Sequence, residues 1–279
     1  MKKIISLFLI STVFVCLTGC SNEDDFVQEE KSAKMENIDV LKEDLLKLNK
    51  TYEDNNPQAT RFKFKKWFRA LVVSVTDAAC SIFDKASIST SIAGSAAANN
   101  LLTSIENSLS KDNKEPDLKP QAMENLEEGS AGYIHNQAII NLYTKYGDRL
   151  KEMPIKKLLS VSMEEVSKIT GRPCPAINDE ACKIIENAVS LLDFEKSVRE
   201  NIVMLSSLTD DEIEKEELEI CGVLLDGLQY VEDNDTTYYI NAREIINNSE
   251  ISPEQKETLH NSLSIAYASA KLWNEPNME

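Results

Sequence analysis

The sequence predicts an all-α, multi-helix bundle, on three observations. Apolar residues recur every three or four positions over most of the chain, the spacing that gathers them on one helix face. Ser162, Thr209 and Ser252 each stand three residues ahead of Glu or Gln, the arrangement in which side chain and backbone at a helix start satisfy each other's donors. Strand-like alternation is scarce, and eight glycines leave few of the turns a sheet needs.

In order along the chain, Ile38, Leu41, Leu45, Leu48 and Tyr52 form one stripe, with Asn37 as the expected cap and Asn55-Asn56-Pro57 as the stop. Arg61 to Arg69 then interleaves five basic with four aromatic residues. Ala70 to Phe83 follows with Asp77 as its one charge, and Ile88 to Asn100 is rich in Ser and Ala. These runs are too short and too interrupted to span a bilayer, so they read as buried central helices with lysine stems lying along the surface. The alternative is a membrane-active segment over 61–100, its basic collar held at a headgroup layer. Ser110 to Ser130 is polar, contains Pro116 and Pro120, and reads as a loop; 110–130 is the candidate subdomain boundary.

A helix is expected from about Ala131 to Tyr146, closed by Gly147. Ser162-Met163-Glu164-Glu165 is expected to open a short helix ending near Ile169, and Gly171-Arg172-Pro173 to break the chain. One long helix is read from about Asn178 to Ser207, with Ile184, Ile185, Ala188, Leu191, Leu192, Val198, Ile202 and Leu205 inward. Thr209-Asp210-Asp211-Glu212 starts the next, reaching about Tyr230. Val231 and Thr236 to Ile240 allow a short strand at most. Ser252, with Pro253 at the first helical position, opens the last helix, whose Leu259, Leu263, Tyr267, Ala270 and Trp273 face inward.

The first twenty residues carry a different signal. Met1-Lys2-Lys3 precedes an apolar run from Ile4 to Leu17, and Leu17-Thr18-Gly19-Cys20 closes it, the layout of a secretory signal. With cysteine at the cut, this tetrapeptide resembles the lipobox of bacterial lipoproteins. The acidic run Ser21-Asn22-Glu23-Asp24-Asp25 resembles the surface-export signal of Bacteroidetes lipoproteins; a solvated tether is its other reading. The resemblance implies that residues 1–19 are a removed signal peptide, that Leu17, Thr18 and Gly19 are read by the processing enzymes, and that the Cys20 sulfur carries a diacylglycerol. It implies attachment through lipid at the outer membrane, on the cell surface if the acidic run is an export signal. Each buried methylene contributes about 0.8 kcal/mol, so two or three acyl chains hold far more firmly than one. Residues 20–36 are then expected as an acidic tether and 37–279 as the helical domain.

Net charge is −17, and loss of Lys2 and Lys3 with the signal would take it to −19. A chain this acidic is a poor match for nucleic acid. Beyond Cys16 and Cys20, four cysteines remain, and Cys174 and Cys182 bracket a short loop suited to a local disulfide in an oxidising compartment. Cys80 and Cys221 lie in apolar helical stretches, where a free thiol packs as a small hydrophobe. No CxxC pair suggests zinc, and no cofactor is expected.

Two constellations have the chemistry of a site. His135 and His260 are each followed by Asn early in a helix; together with a carboxylate they would offer a shared metal or acid–base site, and separately they are packing residues. Asp233, Asp235, Thr237, Asn241 and Glu244 match the ligand spacing of an EF-hand calcium loop, although Tyr238 stands where that loop turns on glycine. No nucleophile elbow, HExxH or phosphate-cradling glycine loop occurs. The arrangement as a whole resembles helical lipoproteins of gut bacteria, in which an alanine-rich early helix precedes a His-Asn helix and the chain ends near a tryptophan. That likeness implies no activity. The expectation is a lipid-anchored, non-catalytic binding or accessory protein with a protein or envelope partner. The alternative is an envelope hydrolase using His135 or His260 with glutamates.

Overall fold

The structure, a computed structural model, describes residues 23–55, 66–85, 87–109, 126–174, 176–231 and 236–273. Among them the chain forms ten α-helices and no strand: α1 (Glu23–Asn55), α2 (Lys66–Phe83), α3 (Ile88–Leu109), α4 (Ala131–Tyr146), α5 (Ile155–Thr170), α6 (Asp179–Leu191), α7 (Val198–Ser206), α8 (Glu212–Leu228), α9 (Thr237–Asn248) and α10 (Pro253–Trp273). The expected all-α bundle is what these residues build.

Its axis is α2. Every residue from Ala70 to Ile82 is buried, so the helix is enclosed on all sides, as a core helix is. Two of its hydroxyls bond back to the helix: Ser74 donates to the Ala70 carbonyl at 2.7 Å, and Thr76 to that of Val72 at 3.4 Å. α10 runs along α2, with α3, α7 and α8 completing the wrap. Small residues make this close approach feasible, and Ser262, Ala266, Ser269 and Ala270 of α10 are all buried. α1 lies over α8 and α9, inserting Ile38, Leu41 and Leu45. Helices on both sides of 110–125 pack together, α2 with α10 and α3 with α5.

Several expected boundaries move. α1 has helical backbone from Glu23, inside the stretch read as a tether. Asn37 is therefore interior, and its amide donates to the Glu250 carbonyl at 3.1 Å instead of capping. α5 starts after Pro154, not at Ser162, whose hydroxyl lies mid-helix and donates to the Leu158 carbonyl at 2.8 Å. The long helix from 178 to 207 is two helices. Ser197 and Glu200 close a reciprocal cap on α7. Asn201 fastens the break, accepting from Asp193 N–H at 2.9 Å and donating to the carbonyls of Asp193, Lys196 and Ser197.

The stretch that allowed a strand, Thr236–Ile240, leads into α9. Tyr238, Ala242 and Ile246, four apart, bury one helical stripe there. Tyr238 donates to Asn49 Oδ1 at 2.7 Å, and its hydroxyl sits against Gly227, where a Cβ would collide with it. The Cys174–Cys182 bridge is not formed: Cys182 is a buried thiol on the inner face of α6, while Cys174 is exposed in the preceding loop. Cys80 and Cys221 are buried thiols in the core.

Candidate functional site

The lipidation and processing residues, Cys20 with Leu17, Thr18 and Gly19, lie outside the described residues, as do Asp233 and Asp235. The rest of the calcium set fails on geometry. Thr237, Asn241 and Glu244 stand on α9, whose regular helix replaces the turn that a binding loop needs, and Asn241 donates to the Tyr52 hydroxyl at 3.4 Å.

The two histidines sit in unlike surroundings. His260 on α10 is half-buried and bonds Asn247 Oδ1 at 2.8 Å; burial, then the charges of Arg243 and Lys256, lower its pKa. His135 on α4 is fully enclosed. Its Nδ1 faces Asn136 Oδ1 at 3.0 Å, and its Nε2 lies 3.6 Å from Asp77 Oδ2. Asp77 is the single charge that the sequence places in the apolar run of α2, and it too is 0% exposed. Among the described residues no group of His, Cys, Asp and Glu is arranged to hold a metal ion.

Around this pair a seam of small polar residues crosses the core. Ser91 donates to the Asp77 carbonyl at 2.8 Å, Trp273 Nε1 donates to Ser95 Oγ at 3.0 Å, and Ser262 bonds Ser81 at 3.0 Å. Asn136 donates to the Ala268 carbonyl at 2.9 Å, and Gly132 N–H to Ser264 Oγ at 3.0 Å. The hydroxyls of Ser269 and Ser95 lie on the Asp77 side and favour its charge, but neither carboxyl oxygen closes a hydrogen bond. Burial dominates and raises Asp77 well above the carboxylate range, while it lowers His135 to about 4. His135 is therefore neutral near pH 7, and burial disfavours the charged form of Asp77 as well. General acid–base catalysis needs a side chain within hydrogen-bond reach of substrate, and this enclosed pair offers no surface for one. Its chemistry is that of a polar core joint between α2, α4 and α10.

The surface offers a different site. At the end of α2 a cleft of about 420 Å³ opens between Ile82, Lys85, the start of α8 (Asp211, Glu214, Glu217) and the start of α10 (Ser252, Gln255, Glu257). The local reason is helix capping. Asp211 accepts from Ile213 N–H at 2.8 Å, and Thr209, expected to cap, instead donates to Glu214 Oε2 at 2.5 Å. Ser252 and Gln255 exchange reciprocal bonds at 3.0 and 3.2 Å, as the sequence spacing predicts. Each helix start favours acidic residues, because they complement the positive end of the helix dipole. Two starts converging make one strongly acidic cleft.

One turn further in, Glu217 is only 6% exposed. Burial, then Glu214, Asp211 and Glu254, raise its pKa to about 7. Among the described residues no side chain bonds its carboxylate. Sequence reasoning missed this site because its walls come from residues 82–85, 211–217 and 252–258. The one legible signal was the pair of acidic helix starts at Asp211 and Glu254. No protein-family model, curated protein or solved structure matches the chain.

Proposed function

We propose that this protein is a lipid-anchored, non-catalytic binding protein of the cell envelope, tethered through Cys20 and presenting its helical body to a protein partner. The observation that carries the anchoring is Leu17-Thr18-Gly19-Cys20 behind a basic and then apolar leader. The binding role draws support from the cleft, where carboxylates gather beside an open surface while the histidine–aspartate pair is sealed inside. Ala70–Ile82, the heart of the alternative membrane-active segment, is occupied in packing against the core. No described helix is long and apolar enough to cross a membrane.

The test is the substitution Cys20→Ala in cells fed a radiolabelled fatty acid. Wild-type protein is expected to take up label and to sediment with membranes after a high-salt wash. The Cys20→Ala protein is expected to lose all label and to leave the washed membrane fraction. Equal labelling or equal sedimentation of the two would end the proposal.

A further inference from the structure

The acidic cleft holds one polar group that capping does not explain. Gln255 is 7% exposed, and its Oε1 is used by the Ser252 N–H, but its Nε2 is buried with no acceptor. A buried amide N–H₂ without a partner costs about 1–3 kcal/mol, and Gln255 is one of the residues that line the cleft. Beside it, Glu217 is a nearly buried carboxylate without a hydrogen bond, and Glu254 and Glu257 on α10 add further negative charge. Lys85 in the α2–α3 turn is the one cation among the lining residues and makes no ion pair within the described residues. The cleft therefore asks for two things together: a cation for the carboxylates and a carbonyl oxygen for Gln255. Its volume lies within the range of about 300–1,000 Å³ usual for ligand sites.

We propose that the cleft receives a basic side chain, arginine or lysine, presented by the protein partner. The cationic head seats against Glu217, and a main-chain carbonyl of the same peptide accepts from Gln255 Nε2. A bare metal ion meets only the first requirement, and a simple polyamine has no carbonyl. This inference rests on the binding role proposed above and names the chemistry of the partner. Glu217 titrates among Asp211 and Glu214 of α8, Glu254 and Glu257 of α10 and Lys85. Binding of a cation favours its ionised form, so affinity falls as pH drops through about 7.

The probe is N-acetyl-arginine amide, titrated by NMR into the detergent-solubilised full chain. Saturable binding in the millimolar range is expected, roughly tenfold weaker at pH 6 than at pH 8 as Glu217 takes up its proton. n-Butylguanidine, which keeps the single guanidinium charge but lacks the carbonyl, is expected to bind more weakly, and the neutral citrulline analogue not at all. Glu217→Gln, which removes charge from a buried site and so leaves the fold intact, is expected to weaken binding by at least about tenfold. Equal binding of the citrulline analogue, an unchanged Glu217→Gln protein, or binding of calcium alone in place of the arginine probe would overturn the inference. Crosslinking in intact cells separates the two proposals. If wild-type and Glu217→Gln proteins capture the same partner equally, the cleft is not its seat but the binding role stands. If neither captures any partner, the binding role itself falls.

Discussion

Replacing Gly132 with alanine is expected to remove about 4 kcal/mol or more of stability, enough to leave little folded protein. On helix propensity alone, the same change would help by up to about 1 kcal/mol. Packing reverses the sign. Gly132 sits where α4 crosses α10, and an added Cβ would fall inside the contact distance of the Ser264 carbonyl oxygen, 2.8 Å from Ser264 Oγ and 2.9 Å from Ala268 Cβ. Backbone cannot swing aside as a side chain can, so the helices must separate. Overpacking of this kind costs about 1–3 kcal/mol. Separation also strains the Gly132–Ser264 and Asn136–Ala268 hydrogen bonds, each about 1–3 kcal/mol when a buried group is left unpaired. Domains have only about 5–15 kcal/mol in hand. Gly171→Ala is the control: its φ is 67° with nothing near the added methyl, so the cost is only the left-handed backbone, about 1–2 kcal/mol. Urea denaturation of both variants checks the contrast. A Gly132→Ala protein as stable as Gly171→Ala would mean that the two helices do not approach as described.

The second large effect is expected at the core pair, as a dependence on pH. Below pH 6.5 the unfolded chain protonates His135, whereas the folded chain resists until about pH 4. Protons then favour the unfolded state, and about 3 kcal/mol of stability, fully present above pH 6.5, is lost as pH falls to about 4. Asp77 acts in the opposite sense. Its folded pKa is raised, so its contribution is full below about pH 3.8 and declines as pH rises. Asp77→Asn is therefore expected to stabilise the protein at pH 8, because the unfolded chain no longer gains by ionising a side chain whose charge the core disfavours. The gain should shrink towards zero near pH 4. Urea midpoints at pH 4, 6 and 8, followed by tryptophan fluorescence, give the test. A less stable Asp77→Asn protein at pH 8 would show that the native pair is ionic.

Elements with their own local chemistry were legible. The Ser252–Gln255 cap of α10, the Ala131-to-Tyr146 span of α4 with its Gly147 stop and the Ile38–Tyr52 stripe of α1 each follow from neighbours within a turn or two. Where reading failed, the deciding contact was elsewhere. The apolar spacing of α6 continues in phase into α7, so periodicity could not reveal a break that Asn201 ties from eight residues away. Thr236 to Ile240 has strand-like composition, yet the groove that Tyr238 fills is made by Asn49 and Leu224. At Ser162 the cap spacing was present, but Pro154 had already started the helix. The core pair shows the same limit. Asp77 was visible as a lone charge and His135 as a lone histidine, but only the crossing of α2 with α4 sets them 3.6 Å apart.

The anchor is the claim on which location, partner and cleft accessibility all depend. Intact-mass spectrometry of the chain purified from membranes tests it most directly. The expected mass is that of Cys20 to Glu279 carrying a diacylglycerol, with or without a further acyl chain on the amino group. A mass matching an uncleaved chain from Met1, or a free thiol at Cys20, would contradict it.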